Sequence, residues 1–124
     1  HKEYRRQRQM CIRDRDYSSP TTAVVVMTTL PDLQQARALG RNLVEANMIA
    51  CANIVPGVSS IYRWRDELIE DHECLVIMKT HVDQLDRVRD YLADHHPYDV
   101  PEFIALPLCD ISEPYLSWLK QELS

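Results

Sequence analysis

Two adjacent histidines, His95 and His96, carry the most specific chemistry in this sequence of 124 residues. Neutral imidazole nitrogens are ligands for copper, zinc and nickel, so the pair predicts a weak divalent-metal site. Consecutive helical residues point about 100° apart, which makes it difficult for a regular helix to chelate one ion with both rings. Pro97 ends the helix and allows the second ring to turn away. The alternative is that both rings only cap the helix C-terminus, where a histidinium meets the negative end of the helix dipole.

Other chemical signatures are weak. With only Gly40 and Gly57, the sequence cannot form a glycine-rich phosphate loop. Nothing marks a nucleophile with an adjacent base, so we predict a binding protein without catalytic residues or an organic cofactor. The four cysteines have no CxxC spacing, which favours reduced thiols in a cytoplasmic protein. They are Cys11, Cys51, Cys74 and Cys109.

The charge distribution separates a basic start from an acidic body. Residues 1–15 carry a net charge of +4, which leaves −9 for the rest of the chain. An acidic body repels phosphate backbones, so we expect no nucleic-acid partner. No apolar run reaches the roughly 18–20 residues of a membrane span, and we expect no membrane partner. Residues 1–19 show no apolar periodicity, and their MCIRDR string favours a disordered tail of non-native or truncated sequence. We therefore predict one folded domain at residues 20–124.

Hydrophobic periodicity predicts the elements that must position the histidines. A Thr29–Asp32 capping box begins the first helix, and Ser112 caps the last one. A Pro56-Gly57 bend interrupts the second strand, and Arg65-Asp66-Glu67 forms a tight connection without the usual glycine. The predicted strands are 23–27, 49–65, 68–80 and 103–108, and the predicted helices end near residues 47, 95 and 123. This β-α-β-β-α-β order with a terminal helix predicts an α+β, ferredoxin-like fold with an antiparallel sheet.

The central hairpin is unusually long. Its two strands run for about 13–16 residues, against a usual 5–6. Strands of this length extend past a small sheet and leave edges that pair with another copy or aggregate. The two helices between strands cover one face of the sheet, so the other face must be solvated or covered. The pattern therefore predicts self-association.

Several strings in this sequence closely resemble the CutA divalent-cation tolerance family. The resemblance runs from about residue 23 to the C-terminus in unbroken order. It implies a ferredoxin-like subunit in a tight homotrimer, with the long hairpin pairing with its neighbours. It also implies a role in tolerance of copper and other divalent cations and in the response to metal ions. The strings are ACANIVPGVSSIYRW (50–64), VIMKT (76–80), HHPYDVPEFIALPL (95–108) and YLSWL (115–119).

The resemblance assigns copper ligands to particular positions. It implies that His95 and His96 of the HHPY motif bind copper. A third ligand of some family members, a cysteine, falls at Thr28. Threonine offers no thiolate, so tight binding of Cu(I) is not expected there. Two histidines do not make a closed site, so we expect metals to bind weakly or between subunits.

A second set of residues would gather near the cleft between subunits in a family-like fold. These residues are Trp64, Lys79, His96, Tyr98 and Glu102. A lysine and a glutamate beside aromatic rings could recognise a small anionic or zwitterionic molecule, as in a trimeric sensor of the PII type. The alternative is a structural interface in which Lys79 and Glu102 pair across chains. A third hypothesis is a structural or anchoring trimer, for which no ligand matters.

Overall fold

The computed structural model describes residues 23–124. The predicted tail at residues 1–19 lies outside this range, so its disorder and the domain boundary at residue 20 stay predictions. The described residues follow the predicted order of strands and helices. The elements are β1 (Ala23–Leu30), α1 (Leu33–Glu45), β2 (Cys51–Trp64), β3 (Glu67–His81), a 3₁₀ turn (Val82–Gln84), α2 (Leu85–His95), β4 (Ile104–Pro107) and α3 (Glu113–Leu123).

The four strands form one antiparallel sheet in the order β2-β3-β1-β4. This is the α+β arrangement predicted from the sequence, with β1 and β3 in the centre. Alternate residues of each strand face opposite sides, so each pairing places a row of side chains on one face. One such row runs from Ala52 through Met78 and Val26 to Ala105.

Helices α1 and α2 cover this first face of the sheet. The even-numbered residues of β1, and those of β3 from Cys74 onward, are buried there, and the apolar ones among them pack against the helical residues in one cluster. Burial of such side chains contributes roughly 1.5–3 kcal/mol each before entropy is counted. The helical members are Ala36, Leu39 and Leu43 of α1 and Leu85, Val88 and Leu92 of α2. Helical spacing predicts an inner stripe of Leu33, Ala36, Leu39, Leu43 and Val44 on α1. The prediction is wrong at the margins of the stripe, because Leu33 and Val44 are exposed.

Helix α1 begins one turn later than the predicted capping box. Thr29 belongs to β1, where it pairs with Leu75. Asp32 is the N-cap residue, and its carboxylate accepts hydrogen bonds from the backbone N–H and the side-chain amide of Gln35 at 2.8 Å each. The prediction of Thr29 as the cap is wrong because the strand continues to Leu30, so the residue after Thr29 is extended and does not begin a helix.

The β2–β3 hairpin is as long as predicted, with strands of 14 and 15 residues. A bulge between Val55 and Val58 breaks the register, and Gly57 has a φ of 71° there. This confirms a bend at Pro56-Gly57 within a continuing strand. The pairing of β3 with β1 ends at Cys74. Residues 58–73 therefore form a two-stranded extension that we call the hairpin arm.

Helix α3 lies on the opposite, second face of the sheet. Leu119 is fully buried and packs with Ala23 and Ala50, and Ala23 is on the side of β1 opposite Val24. The sequence predicts Tyr115, Leu116, Leu119 and Leu123 on the inner side of α3. Leu119 is buried as predicted, whereas Tyr115 is 37% exposed. The rest of the second face keeps apolar side chains at the surface. Its most exposed members are Val55, Ile104 and Leu106, each 41–46% exposed.

The described cysteines differ in their state. Cys51 and Cys74 are free thiols, in agreement with the sequence. Cys109 is disulfide-bonded, so the expectation of a reduced thiol is wrong at that position.

Candidate functional site

His96 is engaged at both ring nitrogens. Its Nδ1 lies 3.1 Å from the backbone nitrogen of Tyr98, whose N–H it must accept. The ring is therefore protonated at Nε2, which donates to the carbonyl oxygen of Thr29 at 2.8 Å. Burial lowers the pKa of His96 below its usual value and keeps the ring neutral. His96 thus fastens the segment after α2 to the end of β1.

His95 is exposed and has a different environment. Its Nδ1 lies 3.0 Å from the carbonyl oxygen of Tyr91, one helical turn back, so this nitrogen carries the proton and donates. The ring stacks on that of Tyr91 with centroids 4.1 Å apart. In a neutral ring with this hydrogen bond, Nε2 is the nitrogen that holds the lone pair.

The structure does not direct the imidazole rings of His95 and His96 toward one common point at which an ion could bind. A shared ion would require a ring nitrogen of His96, and both of these nitrogens already take part in hydrogen bonds with the backbone. Thr28, the position of the third ligand in the resemblance, is buried with its hydroxyl 3.3 Å from Nε2 of His96. Within residues 23–124 no three His, Cys, Asp or Glu side chains form a group that could hold a metal ion. The two-histidine site therefore stays a prediction.

A groove of about 830 Å³ lies between the hairpin arm and the loop of residues 97–102. Three of the predicted cleft residues line it, namely Trp64, Tyr98 and Glu102. His96 contacts the ring of Tyr98 from outside the lining, with centroids 4.9 Å apart. The full lining is Thr29, Ser60, Ile61, Tyr62, Trp64, Asp71, Glu73, Pro97, Tyr98, Asp99, Val100, Pro101 and Glu102.

Lys79 is not part of this groove. It lies on the second face of the sheet, in one row with Cys51 and Val25. Its ammonium group is 5.9 Å from the ring centroid of Tyr115 on α3. Within a single subunit the predicted set of cleft residues is therefore divided, and a pairing of Lys79 with Glu102 between chains stays a prediction.

Two tyrosine–carboxylate pairs order the polar wall of the groove. The hydroxyl of Tyr98 donates to Glu73 at 2.7 Å, and that of Tyr62 donates to Asp71 at 2.6 Å. Burial, followed by the hydrogen bond to Glu73, raises the pKa of Tyr98. The hydrogen bond to Asp71 is the main cause of the raised pKa of Tyr62. Both hydroxyls therefore remain protonated donors at physiological pH.

Glu102 is the carboxyl group of the groove whose protonation is most perturbed. Burial, followed by repulsion from Glu73, raises its pKa above the usual 4.5. Asp71, Glu73 and Tyr62 were not predicted from the sequence as site residues. A signal was present, because Asp71 and Glu73 are two residues apart and share one face of β3.

Comparison with known proteins identifies the family of this chain. The model of the CutA1 divalent ion tolerance protein family matches residues 24–122, nearly the whole described chain. The chain belongs to the CutA family. A divalent-cation tolerance protein CutA from Thermus thermophilus is 42% identical over 97 residues, covering 78% of this chain and 94% of that protein.

Other CutA proteins extend the comparison. Protein CutA, chloroplastic, from Arabidopsis thaliana is 38% identical over 109 residues, which are 88% of this chain but 60% of that longer protein. The crystal structure of the divalent ion tolerance protein CutA1 from Ehrlichia chaffeensis superimposes with a TM-score of 0.81. It is 29% identical and is covered over 99% of its length, against 86% of this chain. The CutA fold predicted from the motifs is thereby confirmed.

Among residues 23–124, no helix combines the length and the apolar character needed to cross a bilayer.

Proposed function

We propose that this CutA-family chain acts in divalent-cation tolerance and the response to metal ions by binding copper or another divalent cation weakly through His95. The supporting observation is the tautomer of His95. Its Nδ1–H is donated to the carbonyl of Tyr91, which leaves the lone pair of the neutral ring on Nε2. Histidines that ligate metals commonly donate their other N–H to a carbonyl or carboxylate in this way, which fixes the ring and raises its basicity.

The proposed site is weak because the chain supplies one well-oriented ligand. The ring of His96 forms hydrogen bonds with two backbone groups. Freeing a ring nitrogen to bind an ion would therefore cost free energy. Two neutral hydrogen bonds contribute roughly 0.5–1.5 kcal/mol each. Cu(II) and Zn(II) both accept imidazole, so the site discriminates little between them.

We further propose that the protein works as a homotrimer, a copy of itself being its main partner. The support is the apolar second face together with the hairpin arm, on which Ile61 and Leu68 are 66% and 72% exposed. Two-stranded ribbons of this kind are marginal in isolation and gain stability by pairing or packing. Association would also bring several copies of His95 into one particle.

A trimeric sensor of a small metabolite is the second candidate, and the groove at the hairpin arm favours it. The sequence suggested an anionic or zwitterionic ligand because Lys79 was expected there. No lysine, arginine or histidine is among the residues that line the groove. An anion therefore has less support than a cation. We also propose a binding role without catalysis, because the sequence marks no nucleophile with an adjacent base, and a place in the cytoplasm, which the free thiols of Cys51 and Cys74 favour.

Calorimetric titration of the full chain with Cu(II) and Zn(II) tests the metal proposal. We expect weak binding by the wild type and its loss in His95→Ala. The control is His72→Ala, which removes another exposed histidine, on the hairpin arm, and should leave binding unchanged. Binding that survives in His95→Ala but is lost in His96→Asn would contradict the assignment to His95. A wild type that binds neither ion would contradict the metal proposal altogether.

A further inference from the structure

Tyr91 contacts the proposed metal ligand from one helical turn away. Its ring stacks on the imidazole of His95, with centroids 4.1 Å apart and ring planes inclined by 18°. Its carbonyl oxygen lies 3.0 Å from Nδ1 of the same imidazole. Residues four apart lie one above the other on a helix surface, which allows both contacts at once. Tyr91 therefore meets both the face of this imidazole and the edge that carries Nδ1.

The ring of Tyr91 is itself held in place. It is partly buried and packs against the apolar cluster beneath α1 and α2. Its hydroxyl oxygen accepts a hydrogen bond from the side-chain amide of Asn42 on α1, at 3.3 Å. His95, in contrast, is exposed. The stack therefore joins an exposed side chain to one that the core and a second helix hold.

These contacts lie within one subunit. They belong to the side of the sheet that carries α1 and α2, opposite the face on which α3 packs. The proposed assembly covers other surfaces, namely the second face and the hairpin arm. The arrangement around His95 is therefore a property of the single subunit.

A side chain that is restrained in advance binds an ion more tightly than a free one. An unrestrained histidine samples about three staggered χ1 positions and holds a given one for roughly a third of the time. The apparent affinity of a site falls by the fraction of time for which its binding position is occupied. Stacking on an aromatic ring favours one position of the imidazole, which avoids most of this loss.

We propose that Tyr91 is a positioning residue for His95, its stacked ring holding the imidazole in the position that binds copper or another divalent cation. This inference rests on the proposed metal function, because it concerns the same site. Tyr91 acts through His95 and is not itself a ligand. The contact with its carbonyl is made by the backbone and is kept by side-chain variants, so such variants isolate the contribution of the ring.

The test compares Tyr91→Leu with Tyr91→Phe in the full chain. Leucine keeps an apolar side chain against the core but removes the stack, whereas phenylalanine keeps the stack and loses the contact with Asn42. In calorimetric titrations with Cu(II), Tyr91→Leu should bind about threefold more weakly than the wild type. Tyr91→Phe, the matched control, should bind as the wild type does. Tyr91→Met is a second variant without the ring, in case leucine disturbs the fold.

Proton NMR without metal gives a readout that a merely structural role would not move. A stacked aromatic ring shifts the imidazole protons of His95 upfield. At one fixed pH these signals should be similar in the wild type and Tyr91→Phe and should lie downfield in Tyr91→Leu. Backbone amide spectra check that each variant is folded.

Four results would overturn this inference. Unchanged imidazole signals in Tyr91→Leu would show that the stack does not restrain His95. Equal Cu(II) affinity of Tyr91→Leu and the wild type, with binding lost in His95→Ala, would contradict the positioning role and leave the metal proposal intact. Equal weakening in Tyr91→Phe and Tyr91→Leu would assign the effect to the hydroxyl instead of the ring. A wild type that binds no ion would contradict the metal proposal and, with it, this inference.

Discussion

Neighbouring residues of identical type have different roles in this protein. His96 fastens the 97–102 loop through backbone contacts on both nitrogens, whereas His95 uses one nitrogen in this way and keeps the lone pair on the other. The sequence could predict the pair as candidate ligands, because imidazole chemistry is visible in the residue type. It could not assign the tautomers, since these depend on Thr29 and Tyr91, and Thr29 is distant in the chain.

The raised pKa of Glu102 leads to a prediction about how this single residue affects stability. The pKa is higher in the folded than in the unfolded state, so the contribution of Glu102 to stability is present at low pH and is lost as the pH rises through the folded pKa. At pH 7 the charged carboxylate therefore costs stability, and Glu102→Gln should unfold at a higher urea concentration than the wild type. The difference should shrink toward about pH 4.

Urea midpoints of both proteins between pH 4 and pH 8 measure this effect, with Glu70→Gln as the control. Two results would contradict this account: a difference that does not vary with pH, or a Glu102→Gln variant less stable than the wild type at pH 7. Either would show that burial of the charged Glu102 carboxylate does not destabilise the folded state.

The residues around the groove show which parts of the site could be predicted from the sequence and which could not. Trp64, Tyr98 and Glu102 were assigned to a cleft through the resemblance, and the structure places all three in one groove. Tyr62 and Asp71 were missed because their contact depends on the register of the hairpin, which the sequence does not reveal. Lys79 shares a face of β3 with Asp71 and Glu73, but it lies six residues beyond Glu73 along the strand, beside α3, and was therefore misplaced within the subunit.

At the scale of elements, alternation and helical spacing were sufficient to predict the order and approximate bounds of the strands and helices. The details that failed are those of local backbone geometry. The N-cap shifted to Asp32 because β1 extends to Leu30. The hairpin connection lacks glycine, and its two turn residues, Arg65 and Asp66, have φ values of 49° and 68°.

This turn gives a second prediction. Non-glycine residues in the left-handed region cost roughly 1–2 kcal/mol each, and hairpins of two turn residues favour glycine at the second position. Asp66→Gly should therefore stabilise the protein by about 0.5–1 kcal/mol in urea unfolding. Asp86→Gly, in the first turn of α2, should destabilise it by a similar amount. If Asp66→Gly were also destabilising, side-chain contacts of Asp66 would outweigh the backbone strain.

At the scale of the whole molecule, the second sheet face is the main feature that a single subunit leaves unsatisfied. Ile104 and Leu106 are both 46% exposed on an edge strand, beside Val25 and Met27 of β1. An apolar surface of this kind, rimmed by polar residues, marks an interaction site. The overlong strands predicted self-association from the sequence, but α3 on the second face was not foreseen, because the pattern of α3 does not say which face it covers.

A charge placed on this face should weaken assembly. Leu106→Arg should shift the protein toward smaller species in size-exclusion chromatography, because an arginine buried between subunits has no described partner there. Leu33→Arg, at an apolar residue of similar exposure outside the second face, is the matched control and should elute as the wild type. Equal elution of all three proteins would indicate that the second face is not the interface.

Sedimentation equilibrium of the full chain tests the proposed assembly most directly. We expect a single species with three times the mass of one chain, persisting on dilution to nanomolar concentration because association covers the second face and the hairpin arm. A folded species with the mass of one chain at micromolar concentration would contradict the proposed trimer. It would also contradict the proposal that association brings several copies of His95 together.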